Sequence, residues 1–83
     1  MGEGEVMPRV ARCRHRTCVF DSSLLAAMTY SDSATLDLVF RNGAVYRYFA
    51  VSARIVEGLR TAPSPGAFFH RYIRNRFRYH RLA

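Results

Sequence analysis

Apolar and polar positions alternate from Thr35 to Phe40, with Leu36, Leu38 and Phe40 on one side and Thr35, Asp37 and Val39 on the other. That period of two predicts a half-buried strand. Val45 to Phe49 is rich in aromatic and β-branched residues and predicts a second strand. Arg41-Asn42-Gly43 lies between them and signals a hairpin. Loop length then decides which faces meet. A two-residue Asn42-Gly43 turn would set Leu38 opposite Arg47 and place a charge among apolar side chains. A three-residue loop, with Gly43 left-handed in a bulge, pairs Leu38 with Tyr46, Leu36 with Tyr48 and Asp37 with Arg47. The burial pattern selects the second register, since a one-residue slip inverts a strand's facing.

Leu24 to Tyr30 reads as a strand with Ala26, Met28 and Tyr30 on one face, although Leu24 to Met28 alone suits a helix about as well. Ser31-Asp32-Ser33 is a turn cluster. Val51, Ile55, Leu59 and Ala62 recur at helical spacing, with Ser52 as N-cap. Pro63-Ser64-Pro65-Gly66 stops that helix, and Ser64 caps the next with Pro65 at its first position. Phe69, Ile73 and Phe77 form a stripe that predicts a second helix running to the C-terminal end, supported by Phe68 and Tyr72. The expected fold is α+β: a three-stranded antiparallel β-meander followed by two helices packed on one face. Its expected core is Met28, Tyr30, Leu36, Leu38, Phe40, Tyr46, Tyr48, Val51, Ile55, Leu59, Phe69, Ile73 and Phe77.

Gly2, Gly4 and Pro8 interrupt the first residues, so residues 1–18 are expected to form a basic, flexible arm, with the domain proper spanning 19–83. At 83 residues there is room for one domain. No apolar run approaches the roughly 20 residues of a membrane span. Met1 to Met7 carries Glu3 and Glu5 and lacks a secretory pattern, so a cytoplasmic location is expected.

The formal net charge is +7, and every basic residue apart from histidine is arginine. A GC-rich genome produces the same bias, but the physical consequence does not depend on the cause. Arginine stays charged, grips phosphate with two donors and stacks on rings. The middle of the chain is neutral, with Arg41, Arg47, Arg54 and Arg60 against Asp21, Asp32, Asp37 and Glu57. The excess comes from Arg9, Arg12, Arg14 and Arg16 in front and from Arg71, Arg74, Arg76, Arg78 and Arg81 behind. Two acid-free flanks on a neutral body resemble a polyanion footprint.

The ordered set Ser22-Ser23, Tyr30, Leu36-x-x-x-Phe40, Asn42-Gly43, Val45-Tyr46-x-Tyr48, Val51, Leu59, Ala62, Ser64-x-Gly66, Phe69 and Ile73-Arg74 resembles the KTSC domain. That family is named after the C-terminus of some lysyl-tRNA synthetases and also includes stand-alone small proteins. Ser52 departs from the family's usual Val-Pro pair, and Pro63 and Pro65 are additional. The resemblance implies a role near tRNA or another RNA, or equally a role in assembly, and it brings no catalytic residues with it.

On an unbroken last helix, Arg71, Arg74, Arg78 and Arg81 would line one side, with Tyr72, Tyr79 and His80 beside them. Arginine interleaved with aromatics suits single-stranded RNA, since charge follows the backbone and rings stack on bases. The expected nucleic-acid-binding residues are therefore Arg71, Arg74, Arg78, Arg81, Tyr72 and Tyr79, helped by Arg12, Arg14 and Arg16. A bland reading competes: arginine also solubilises any wet helix face. Cys13-x-His15-x-x-Cys18 offers three metal ligands but lacks paired spacing, with only His70 as a fourth. Free thiols are expected in place of a metal site or a disulfide. Ser22, Ser23 and Ser64 sit where turns and caps explain them, and His70 has no evident carboxylate partner. The leading expectation is a non-catalytic RNA-binding module, with tRNA as a candidate partner. It needs no cofactor, no metal and no small-molecule substrate, and it is monomeric or a weak homodimer. The alternative is a protein-interaction or assembly module using the exposed sheet face or an edge.

Overall fold

The computed structural model describes residues 11–83. Among these residues, six antiparallel strands form one sheet in sequence order: β1 (Arg12–Arg14), β2 (Thr17–Val19), β3 (Leu25–Tyr30), β4 (Leu36–Phe40), β5 (Val45–Tyr48) and β6 (Tyr79–Arg81). Between β5 and β6 the chain forms α1 (Ala53–Thr61) and α2 (Pro65–Phe68), which continues into a π-helical turn, Phe69–Ile73. The expected α+β class holds. The sheet has twice the strands of the expected meander, because it gains a hairpin before β3 and a strand after the helices.

The central hairpin has the expected register: Leu36 faces Tyr48, Asp37 faces Arg47 and Leu38 faces Tyr46. Gly43 has φ +95°, and its N–H donates to the Phe40 carbonyl at 2.9 Å while the Phe40 N–H donates to Ala44 at 2.8 Å. This is the three-residue loop with a left-handed glycine that burial required. On β3, Met28 faces Leu38 and Tyr30 faces Leu36, with a bulge between Leu25 and Ala27.

The strand alternation sorts the sheet into two faces. Cys18, Met28, Leu38, Tyr46 and Arg81 form a row on the inner face, and Leu36, Tyr48 and Tyr79 form another. The helices cover this face. Ser52 caps α1 by accepting from the Ile55 N–H at 3.3 Å, and Ser64 caps α2 by accepting from Ala67 at 3.3 Å. The Tyr30 hydroxyl donates to the Val51 carbonyl at 2.6 Å and ties the start of α1 to the sheet. The buried core contains Met28, Leu36, Leu38, Tyr48, Val51, Leu59, Phe69 and Ile73 as expected, together with Phe20, Leu25 and Val56. Tyr30, Phe40, Tyr46, Ile55 and Phe77 are partly buried against it.

Several expectations need correction. The first is the loose arm. Its described part, residues 11–18, is built into the sheet: β1 pairs β2, and Cys18 on β2 is buried opposite Met28. Residues 1–10 of the expected arm lie outside the described residues. The hairpin sets Cys13 opposite Cys18, and a disulfide joins them where free thiols were expected.

The second correction is the last helix, which ends at Ile73 and does not reach the C-terminal end. Arg74 has extended geometry (φ −59°, ψ 127°), Asn75 has φ +62°, and the Arg76 N–H donates to the Ile73 carbonyl at 3.0 Å. These values describe a type II turn, which needs a residue that tolerates positive φ at its third position. The chain then returns as β6, pairing Tyr48 with Tyr79 and Tyr46 with Arg81. The one-sided row Arg71, Arg74, Arg78 and Arg81 therefore does not form. Among the described residues, no helix is long and apolar enough to cross a membrane.

Candidate nucleic-acid interface

The helical layer stops short of β6. The inner face of β5 and β6 is therefore partly bare, and a cleft of about 380 Å³ opens there. Its floor is Tyr46, Tyr48 and Tyr79. The Tyr46 and Tyr48 rings lie 6.4 Å apart at 26°, and Tyr79 stands 5.5 Å from Tyr46 and 5.7 Å from Tyr48. Phe40 and Phe69 close the inner wall, edge to face at 5.3 Å. The rims are the Asn42–Ala44 turn on one side and Arg74 and Asn75 on the other, with Arg81 at the mouth. The Arg81 guanidinium lies 5.7 Å over the Tyr46 ring, and its Nε donates to the Ala83 backbone oxygen at 2.8 Å. No carboxylate side chain lines the cleft among the described residues.

Exposure rises across the floor. Tyr48 is buried, while Tyr79 is 55 % exposed and presents a ring to solvent. Burial pushes the Tyr48 phenol up to about 12, with Tyr46 and Tyr79 adding to the rise and Arg74 opposing it. The cleft thus combines exposed ring surface with arginine charge, a combination that holds planar anionic ligands.

The structure divides the expected binding residues into separate groups. Arg74, Arg81 and Tyr79 meet at the cleft. Arg71 lies 5.6 Å over the Tyr72 ring, and that ring packs on Phe68 at 4.6 Å, on a different surface beside Pro63. Arg78 lies 5.9 Å over Phe49. Arg12 and Arg14 pair with Val19 and Thr17 on the outer sheet face. Arg16 is engaged structurally: it grips both oxygens of Asp32 at 2.7 and 3.0 Å, and its carbonyl accepts from the Tyr30 N–H at 3.1 Å. The Arg16 guanidinium holds the Asp32 carboxyl below its ordinary range.

Tyr46, Tyr48 and Phe40 belong to the expected core, and Asn75 is not among the expected site residues. The available signal was Asn75 itself, a frequent left-handed residue just past a helix end. A second recess, lined by Asp21, Ser22, Ser23, Ser64 and His70, has structural uses for its hydroxyls. Ser22 Oγ accepts from the N–H groups of Leu24 and Leu25 at 3.1 and 3.3 Å. Among the described residues, no group of three His, Cys, Asp or Glu side chains could hold a metal.

A one-layer antiparallel sheet with its helices on a single face places the molecule among small α+β domains. More specifically, residues 21–77 match the KTSC domain family model, and the chain belongs to that family. A lysine–tRNA ligase of Nostoc sp. is 38 % identical over 64 residues, covering 76 % of this chain and 11 % of the ligase. A lysine–tRNA ligase of Trichormus variabilis is 42 % identical over 53 residues, 64 % of this chain and 9 % of the ligase. The chain thus spans about a tenth of the length of these relatives. The crystal structure of a KTSC domain protein from Yersinia pestis superposes with a TM-score of 0.74 at 28 % identity, covering 78 % of this chain and 93 % of that one. β6 lies beyond the family-matched segment, so Tyr79 and Arg81 are additions to what the match covers.

Proposed function

We propose that this protein is a non-catalytic module that binds single-stranded RNA in the cleft between β5, β6 and the Arg74–Asn75 turn. The observation that carries the reading is one open recess holding Tyr46, Tyr79, Arg74 and Arg81 with no carboxylate among its described lining. Unpaired bases offer ring faces to tyrosine, and phosphates suit the two guanidiniums. The net charge of +7 adds long-range attraction. The name of the curated relatives, lysine–tRNA ligase, makes tRNA the first RNA to try. The direct experiment is ultraviolet crosslinking of a short RNA followed by peptide mapping. Crosslinks at Tyr46 and Tyr79 support the reading, and crosslinks confined to other surfaces contradict it.

A second reading is favoured by a specific feature of the outer face. Val19, Ala27, Val39 and Val45 are in register across four strands, and Val19 is 49 % exposed. This aliphatic row suits an assembly module, with self-association as its simplest form. Sedimentation over a range of concentrations tests it. A salt-insensitive dimer that Val19→Asp dissolves would favour this reading.

A further inference from the structure

Both rims of the cleft carry a side-chain amide. Asn42 Oδ1 accepts from the Ala44 N–H at 3.0 Å, so that bond fixes the orientation of its carboxamide. The NH₂ group of Asn42 is then left to donate, and what it meets in the cleft must be an acceptor. Asn75 stands opposite, at φ +62°, on the turn that also carries Arg74. A carboxamide offers a donor and an acceptor side by side, the pattern that matches the N6 and N7 edge of adenine. The guanidiniums are placed for another task. The Arg81 guanidinium lies over the Tyr46 ring with its Nε engaged by Ala83, which leaves its outer nitrogens for phosphate.

We propose that the cleft is an adenine-reading site: it takes one unpaired adenosine of an RNA strand, with the base on Tyr79 and Tyr46, its edge on Asn75 and the phosphates on Arg74 and Arg81. This rests on the RNA-binding reading and adds base identity to it. About 380 Å³ is near the lower end of ordinary ligand sites, room for one nucleotide and too little for a duplex. A competing explanation of Asn75 is structural, since a type II turn wants glycine or asparagine at that position. That competition provides the test. Asn75→Gly keeps the turn chemistry and removes only the carboxamide.

The experiment titrates the full chain and Asn75→Gly with labelled uridine tracts carrying one central A, C, G or U, with AMP in parallel. The wild type should bind the tract with central A about fivefold or more tighter than the all-U tract, the lower end of what a bidentate amide–base pair supplies. Asn75→Gly should lose that preference and bind the tract with central A and the all-U tract alike. Absent base preference, a preference for G, or a preference that survives in Asn75→Gly would overturn the adenine assignment and leave RNA binding intact. Failure to bind any tract would overturn both readings. AMP binding as tight as the A-containing tract would assign the cleft to a free nucleotide and overturn the strand-bound form.

Discussion

The two edges of the sheet carry similar arginine-rich sequence and use it differently. At the β1–β2 edge the chain spends its side chains on structure. Cys18 and Phe20 are buried, Arg16 holds Asp32, and a disulfide clips the hairpin. At the β5–β6 edge the inner face outruns the helices. Tyr79 is 55 % exposed, and Arg74 and Arg81 flank bare tyrosine rings. A basic run is therefore not a binding site by composition. What separates the two edges is ring surface: at the first, Arg16 is held by Asp32 on the hairpin, and at the second, Arg74 and Arg81 stand beside exposed tyrosine.

The largest expected effect tests whether the cleft wall is also core. Phe69→Ala removes a buried ring that meets Phe40 at 5.3 Å and Tyr48 at 6.0 Å, edge to face. It should cost about 3–5 kcal/mol. In a small domain of ordinary stability that leaves a large unfolded fraction near body temperature. Chemical denaturation reads the loss, and an unchanged midpoint would detach Phe69 from the core.

Alkaline titration comes next. The Tyr48 phenol, pushed up to about 12 by burial, should titrate after an unperturbed tyrosine near 10. Its folded value lies above its unfolded one, and the neutral form is the one the fold prefers. The associated stability is thus whole below about pH 10 and lost between about 10 and 12, up to roughly 3 kcal/mol. Tyrosinate absorbance should show a late component that Tyr48→Phe removes. An alkaline titration that Tyr48→Phe leaves unchanged would contradict it.

At the other edge, reduction or Cys13→Ser should cost about 2 kcal/mol, the loop-closure value for so short a ring. It should leave RNA affinity unchanged. Thiol titration of the unreduced native protein should find no free sulfhydryl, and two reactive thiols would restore the reading made from sequence. The smallest effect belongs to the outer face. Arg47 donates from Nε and Nη2 to the two oxygens of Asp37 at 2.8 and 2.9 Å. Both side chains are partly exposed, so Asp37→Asn should cost only about 0.2–1 kcal/mol in a denaturation midpoint.

The sequence made the centre of the sheet legible and its edges opaque. β4 and β5 alternate cleanly around Asn42-Gly43, so only one register kept Arg47 out of the core. Ser52 and Ser64 announced both helix starts through their capping chemistry. β1 and β2 are three residues each, too short for their alternation to mark them as strands. Their pairing depends on tertiary contact with β3 and on a turn that places His15 at φ +59°. The C-terminal error has a different origin. Phe69, Ile73 and Phe77 fit a helical stripe, and both Phe69 and Ile73 are buried as that stripe requires. Phe77 reaches the core by another route, after the Asn75 turn. The helical period holds up to Ile73, and Asn75 in the left-handed conformation turns the chain out of it. The cleft was hidden for the same reason, because it exists only once β6 folds back beside β5.

The most direct measurement titrates short single-stranded RNA at several salt concentrations against three proteins: wild type, Arg74→Gln/Arg81→Gln and Arg12→Gln/Arg14→Gln. If the cleft arginines contact phosphates, the first double variant should bind more weakly, and its log–log salt slope should be shallower by about 1.4, at roughly 0.7 per phosphate contact. The second double variant, altered only on the outer face of β1, should keep the wild-type slope and fold. Equal affinity and slope for wild type and the cleft variant, or a loss confined to the β1 variant, would contradict the assignment of RNA to the β5–β6 edge.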